Sequence, residues 1–251
     1  MTDDPAIRVV DLRKRLGTRD VLRGVDFSCR GGRHYALLGP NGAGKTTTLR
    51  IVAGLLSCDA GEVVVAGESL ATRARAAHRH RIGYVGEDSG LDARLTVREV
   101  LRFVAGAYGV RRPDPAIDAL GDELHFGEYV ERRCGALSKG TRQKVAIARA
   151  LIHDPAVLLL DEPTANLDVD ASLAVETALA SDSLRRRTVI LSTHRLDEAE
   201  RLCDSVIGLY EGRVFVEAVI ADVAAEASGA PDFRRGFVAL LNSQRVGATA
   251  L

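Results

Sequence analysis

One octapeptide limits the folds open to this chain more than any other segment: Gly39-Pro-Asn-Gly-Ala-Gly-Lys45-Thr46. It follows the short apolar run Tyr35-Ala-Leu-Leu, which reads as a buried strand, and precedes residues 47–54, which read as a helix. A strand, a glycine-rich loop and a helix in that order form a supersecondary unit with few alternatives. Gly39, Gly42 and Gly44 let the backbone curl with its N–H groups turned inward, and the helix from Lys45 onward aims the positive end of its dipole at the same point. That is an anion cradle. The candidate binding segment comprises Gly39, Pro40, Asn41, Gly42, Ala43, Gly44, Lys45, Thr46 and Thr47. Lys45 is placed to reach β- and γ-phosphates, and the Thr46 hydroxyl to bind Mg²⁺. The chain has only four lysines, Lys14, Lys45, Lys139 and Lys144, so a lysine here stands out against a background of arginine. A compact ammonium suits this position better than a planar guanidinium.

A second apolar run, 157–160, ends at Asp161-Glu162-Pro163. A buried strand delivering two carboxylates at its C-terminal edge puts them beside the phosphate loop, in the usual ligand crevice of an open α/β sheet. His194, after Leu191-Ser-Thr193, is placed just beyond another strand end with a helix starting at Leu196. Upstream of the carboxylates is Leu137-Ser-Lys-Gly-Thr-Arg-Gln-Lys144, where Ser138 is a helix cap and Gly140 lets the first-turn N–H groups approach an anion closely.

Strand-like and helix-like periods alternate along the chain, which predicts a sheet flanked by helices. Runs 7–12, 25–29 and 62–65 read as a small antiparallel portion. Runs 35–38, 82–85, 157–160, 189–192 and 205–210 read as the main sheet, with helices over 47–54, 169–181 and 196–202. Strand signals vanish between 89 and 151, where Thr96 caps a helix and Pro113 and Pro115 act as breakers. The fold class is therefore α/β, with a small antiparallel β subdomain and an inserted α-helical subdomain around a core that resembles the RecA-like phosphate-loop nucleoside triphosphatases. One domain spans 1–216, its core being 1–88 and 152–216 and its helical insertion 89–151. A helical tail follows over 217–251, with an amphipathic helix at 232–241.

At 251 residues and 46% apolar side chains the chain can bury a full α/β core. Thirty-four basic groups balance 34 acidic ones, so there is no bulk electrostatic reason to expect nucleic acid as a partner. Cys29, Cys58, Cys134 and Cys203 show no CxxC spacing and read as reduced thiols. No run approaches the ~18 apolar residues of a membrane span, and the N-terminus lacks a signal-peptide progression.

Over residues 7–216 the chain resembles the ATP-hydrolysing subunits of ATP-binding-cassette transporters. The phosphate loop, the Leu137–Lys144 motif and Asp161-Glu162-Pro163, in that order and spacing, carry the resemblance. It implies that Asp161 supports Mg²⁺, that Glu162 orients and activates the attacking water, and that His194 contacts the γ-phosphate. Lys45 completes the catalytic set. It further implies that Ser138, Gly140 and Asp168, the last in Ala165-Asn-Leu-Asp168, face ATP held by a second ATPase subunit, here a second copy of the chain. ATP and Mg²⁺ are then the ligands and integral membrane permease subunits the partners, at the cytoplasmic face of the cell membrane. Residues 138–155 and 202–207 resemble the NatA-type branch of sodium and drug exporters. The rival readings are a soluble cassette ATPase acting in translation or DNA repair, and a nucleotide switch that does not hydrolyse.

Three positions depart from the family pattern. Lys139 and Thr141 replace the usual residues of the Leu-Ser-Gly-Gly-Gln signature. Glu87 stands where a glutamine reaching Mg²⁺ is usual, which predicts stronger metal binding or a slower ATPase. Leu16 stands where an aromatic ring usually stacks on adenine, which predicts loose discrimination between ATP and GTP.

Overall fold

The computed structural model describes residues 5–70, 75–226 and 231–249. The chain opens with a hairpin of β1 (Ile7–Leu16) and β2 (Arg19–Cys29), then β3 (His34–Leu38), the phosphate loop and α1 (Lys45–Val52). Next come β4 (Ala60–Val65), β5 (Glu68–Ser69), α2 (Arg75–His80) and β6 (Ile82–Val85). The inserted helices are α3 (Val97–Ala107), α4 (Pro113–Glu123) and α5 (Lys139–Leu151). Then follow β7 (Val157–Asp161), α6 (Val169–Leu179), α7 (Asp182–Arg185), β8 (Thr188–Thr193), α8 (Leu196–Leu202) and β9 (Ser205–Tyr210). The chain closes with β10 (Arg213–Val219), α9 (Ile220–Ala225) and α10 (Phe233–Thr249).

The strands form two sheets. β2-β1-β4-β5 is antiparallel, and β10-β9-β3-β8-β7-β6 is parallel except for β10 at its edge. β7 and β8 are buried along their whole length, as a central parallel strand covered on both faces must be, and their unbroken apolar runs follow from that. One core cluster, including Ile7, Val25, Leu49, Ile190 and Ile207, joins the antiparallel sheet to the main one through α1. A second joins the far face to the inserted helices through Leu101, Ile117, Phe126 and Ile147. The tail supplies a third, in which Phe233 and Phe237 of α10 cover Ala36, Leu38 and Val206.

Two capping expectations hold. The Thr96 hydroxyl accepts from the Glu99 N–H at 3.2 Å while the Glu99 carboxylate accepts from the Thr96 N–H at 2.8 Å, a reciprocal cap on α3. Ser138 accepts from the Thr141 N–H at 3.1 Å and caps α5.

Elsewhere several elements run past their expected ends, while the helices expected over 47–54 and 169–181 stop at Val52 and Leu179. β1 continues to Leu16 because a bulge at Asp11, with φ +45°, shifts the alternation so that Leu12 and Lys14 turn inward. The stem of Lys14 is buried while its ammonium meets Asp59 at 2.7 Å, so Arg13-Lys14-Arg15 is strand despite its polarity. Pro113 and Pro115 lie in the first turn of α4 and start that helix, because proline's missing N–H has no partner there in any case. β10 runs through position 216, and α10 extends eight residues beyond 241, to Thr249. Among the described residues no helix is long and apolar enough to cross a membrane.

Candidate active site

Sheet order decides which sequence motifs meet. β8 lies between β3 and β7, so Leu38 pairs with Thr193 and Asp161 with Ser192. The phosphate loop, the Asp161-Glu162 pair and His194 therefore leave the C-terminal edge of three adjacent strands. They border one cleft of about 680 Å³, lined by Asn41, Gly42, Gly44, Lys45, Thr46, Thr47, Glu87, Glu162 and His194, with Arg19, Val21, Thr164, Asn166 and Arg195 among the rest.

The loop has the conformation its glycines allow. Gly44 has φ +111°, a region a side chain rarely adopts, and immediately precedes α1. At Gly39 a Cβ would come within 2.2 Å of the Leu209 carbonyl oxygen, so the loop packs flush against β9. The Gly212 N–H donates to the Ala43 carbonyl at 3.1 Å and fastens the loop to the β9–β10 turn. Lys45 is buried and folds back over the cradle, donating to the Gly39 and Pro40 carbonyls at 2.8 and 3.3 Å.

Asp161, 2% exposed, lies beneath the cleft wall rather than in it. Oδ1 accepts from Thr46 Oγ1 at 3.1 Å and Ser192 Oγ at 2.6 Å, and Oδ2 accepts from the Tyr84 hydroxyl at 3.4 Å. Glu162 projects into the cleft. Oε1 is 3.6 Å from Lys45 Nζ and Oε2 is 3.0 Å from His194 Nδ1. Its φ of +51° is strained for a residue with a Cβ, and its N–H is held by both the backbone oxygen and the hydroxyl of Ser192, each at 3.1 Å. A strained backbone clamped from behind aims the carboxylate at the place where Lys45 also points.

Sequence reading missed the groups behind this arrangement. Ser192 bridges the two acidic positions, and nothing in Val189-Ile-Leu-Ser192 marks it until strand register is known. Glu198, 1% exposed, accepts from the Thr164 and Thr193 hydroxyls at 2.5 Å each and ties the loop that follows β7 to the end of β8. Burial pushes its carboxyl above the ordinary glutamate value, against the two hydroxyls that lower it. Glu198→Ala strands two buried hydroxyls, at a cost of roughly 2–4 kcal/mol. Thermal unfolding should then fall by about 5–12 °C. A melting temperature within 2 °C of the parent would remove Glu198 from this role.

The other predicted residues are placed as follows. Leu16, 46% exposed at the β1–β2 turn, is not among the residues that line the cleft, whereas Arg19, three residues on, is. Glu87 is exposed, lines the phosphate cleft together with Glu162 and also the second cleft, and accepts from Asn166 Nδ2 at 3.5 Å. Ser138, Gly140 and Asp168 stay outside the chain's own phosphate cleft. Gly140 packs against the first turn of α6, where a Cβ would meet Ala171 Cβ at 2.9 Å, and Asp168 caps that helix by accepting from the Ala171 N–H at 2.8 Å. Lys139 borders the second cleft, of about 660 Å³, with Arg50, Glu87, Arg142 and Asn166.

Comparison with known proteins agrees with this geometry. A family profile described as ABC transporter matches residues 22–165. A Nod factor export ATP-binding protein I of Burkholderia lata is 41% identical over 210 residues, covering 82% of this chain and 68% of that protein. The ABC transporter ATP-binding protein NatA of Bacillus subtilis is 38% identical over 202 residues, covering 79% and 82% respectively. Among solved structures, an ATP-binding subunit of an ABC transporter is similar with a TM-score of 0.82 at 30% identity, covering 94% of this chain and 99% of that one. CbiO1 of Clostridium perfringens, part of the transporter complex cbiONQ, is similar with a TM-score of 0.76 at 29% identity, covering 89% and 92%.

Proposed function

The chain belongs to the ABC transporter family, and from that premise we propose that it drives an exporter whose membrane-spanning subunits are separate chains. As a member it binds and hydrolyses ATP. The observation that carries the mechanism is the convergence of Lys45 and His194 on the two oxygens of Glu162 at the phosphate loop.

In this reading the loop N–H groups hold the phosphates, and Lys45 meets them already desolvated and oriented by two loop carbonyls. Preorganised charge of this kind needs little rearrangement when the reaction begins. Glu162 holds the attacking water and takes its proton, and His194 keeps that carboxylate aimed. Thr46 and Asp161 present hard oxygen groups 3.1 Å apart, a donor set that suits Mg²⁺. Bound there with the phosphates, the ion supplies neutralisation of charge on the β- and γ-oxygens. Among the described residues no three acidic, histidine or cysteine side chains are placed to hold a metal ion by themselves, and Mg²⁺ needs no such group, because substrate phosphates and water complete its shell. Glu87 is the further oxygen donor in this proposal, reaching the site once its bond to Asn166 is released.

Ser138, Gly140 and Asp168 have no place in the chain's own cleft, which supports their use on ATP held by a second copy. Closure of two copies over two nucleotides and reopening after hydrolysis is then the power stroke. Relatives named for Nod factor export support the outward direction, and sodium or a drug is the cargo class proposed here. The reading in translation or DNA repair has no support from the relatives named above.

A tagged chain purified from detergent-solubilised native membranes should bring down a polytopic membrane protein in stoichiometric amount. Recovery only from the soluble fraction, with ribosomes or DNA, would defeat the transport reading.

A further inference from the structure

The phosphate cleft has two unlike ends. Glu162, His194 and Lys45 mark one, where the terminal phosphate reacts. Arg19 and Val21, from the start of β2, wall another part of it beside Gly42. A nucleoside extending away from the reacting phosphate needs a flat partner for its base, and among the described lining residues the only ring is the imidazole of His194, at the reactive end. Leu16 does not line the cleft.

Arg19 has the properties that Leu16 lacks. One guanidinium N–H donates to the Gly42 carbonyl at 3.1 Å, which fixes the side chain over the rim of the loop. Its guanidinium lies against Gly42, where a Cβ would meet Nη2 at 3.3 Å, and it forms no ion pair among the described residues, so the side turned away from the loop is uncommitted. A guanidinium stacks on aromatic faces, and it does so without reading the hydrogen-bonding edge of the base. Val21, half-buried beside it, adds an apolar edge.

We propose that Arg19 is the base platform of the nucleotide site, stacking its guanidinium plane on a purine ring in place of an aromatic side chain. Stacking of this kind accepts adenine and guanine alike, so loose discrimination between ATP and GTP follows from Arg19 rather than from Leu16. The inference rests on the ATP-binding reading of the cleft.

The test compares ligands with and without a base. Binding of MgATP, MgGTP and magnesium tripolyphosphate is measured calorimetrically on the full chain, with Lys45→Ala as the control for the site itself. Arg19→Ala should weaken MgATP and MgGTP by about tenfold and leave tripolyphosphate within twofold. Arg19→Lys, which keeps the charge and loses the plane, should behave like the alanine variant, and Arg19→Tyr should restore MgATP binding. Equal losses for tripolyphosphate would make Arg19 a phosphate contact and overturn the proposal, as would full MgATP affinity in Arg19→Lys. Arg19 is exposed on a hairpin, so these variants open no buried void. Failure of the underlying reading looks different: the parent chain would then bind MgATP no better than Lys45→Ala.

Discussion

Glu162→Gln should lower ATP turnover about 10³-fold while leaving MgATP binding within a few-fold of the parent. The substitution preserves length and shape, and an amide can still reach Lys45 and His194 from the positions 3.6 and 3.0 Å away that the carboxylate now occupies. It cannot take a proton from water. Loss of the negative charge also removes repulsion against the phosphates, so binding is expected to hold or tighten. Trapped in this way, the variant should accumulate as an ATP-bound dimer if two copies close over the nucleotides. Steady-state phosphate release, calorimetric binding and sedimentation with MgATP report the three quantities separately. Turnover above a third of the parent value would mean that Glu162 is not the base, and the strain at φ +51° would need another explanation.

Lys45→Ala should show the opposite split. Here MgATP affinity itself should fall by about a hundredfold or more, and hydrolysis should drop below detection. Lys45 is 7% exposed and interacts with the Gly39 carbonyl, the Pro40 carbonyl and Glu162. Its removal deletes the one cation these groups share and leaves the Glu162 carboxylate facing incoming phosphates without compensation. Unfolding temperature measured alongside separates loss of the site from loss of the fold. Binding within threefold of the parent would show that the loop is not where the phosphates are held. Together the two variants divide the cleft into a part that binds and a part that reacts.

The phosphate loop was legible from the residues alone, because few other structures require three glycines and a lysine between a buried strand and a helix. So were Asp161, Glu162 and the caps Thr96 and Ser138, since each depends on a local pattern that the sequence carries within a few residues. The apolar runs of β7 and β8 disclosed central strands for the same reason: burial on both faces leaves no room for polar alternation. What lay beyond reading was every relation that crosses the sheet. Ser192 is an unremarkable serine until β8 is laid beside β7, when it holds Asp161 by its hydroxyl and the Glu162 N–H through its hydroxyl and carbonyl oxygens. Glu198 looks like an exposed helix acid, yet it ties the loop after β7 to the end of β8 from the interior. Arg19 and Leu16 are three residues apart, and only the bulge, turn and register of one hairpin decide that the arginine faces the phosphate loop. Motifs whose partners are near in sequence were determined by sequence. Those whose partners are 20 to 115 residues away were decided by strand order and register, because a shift of one residue in a strand sends each side chain to the other face.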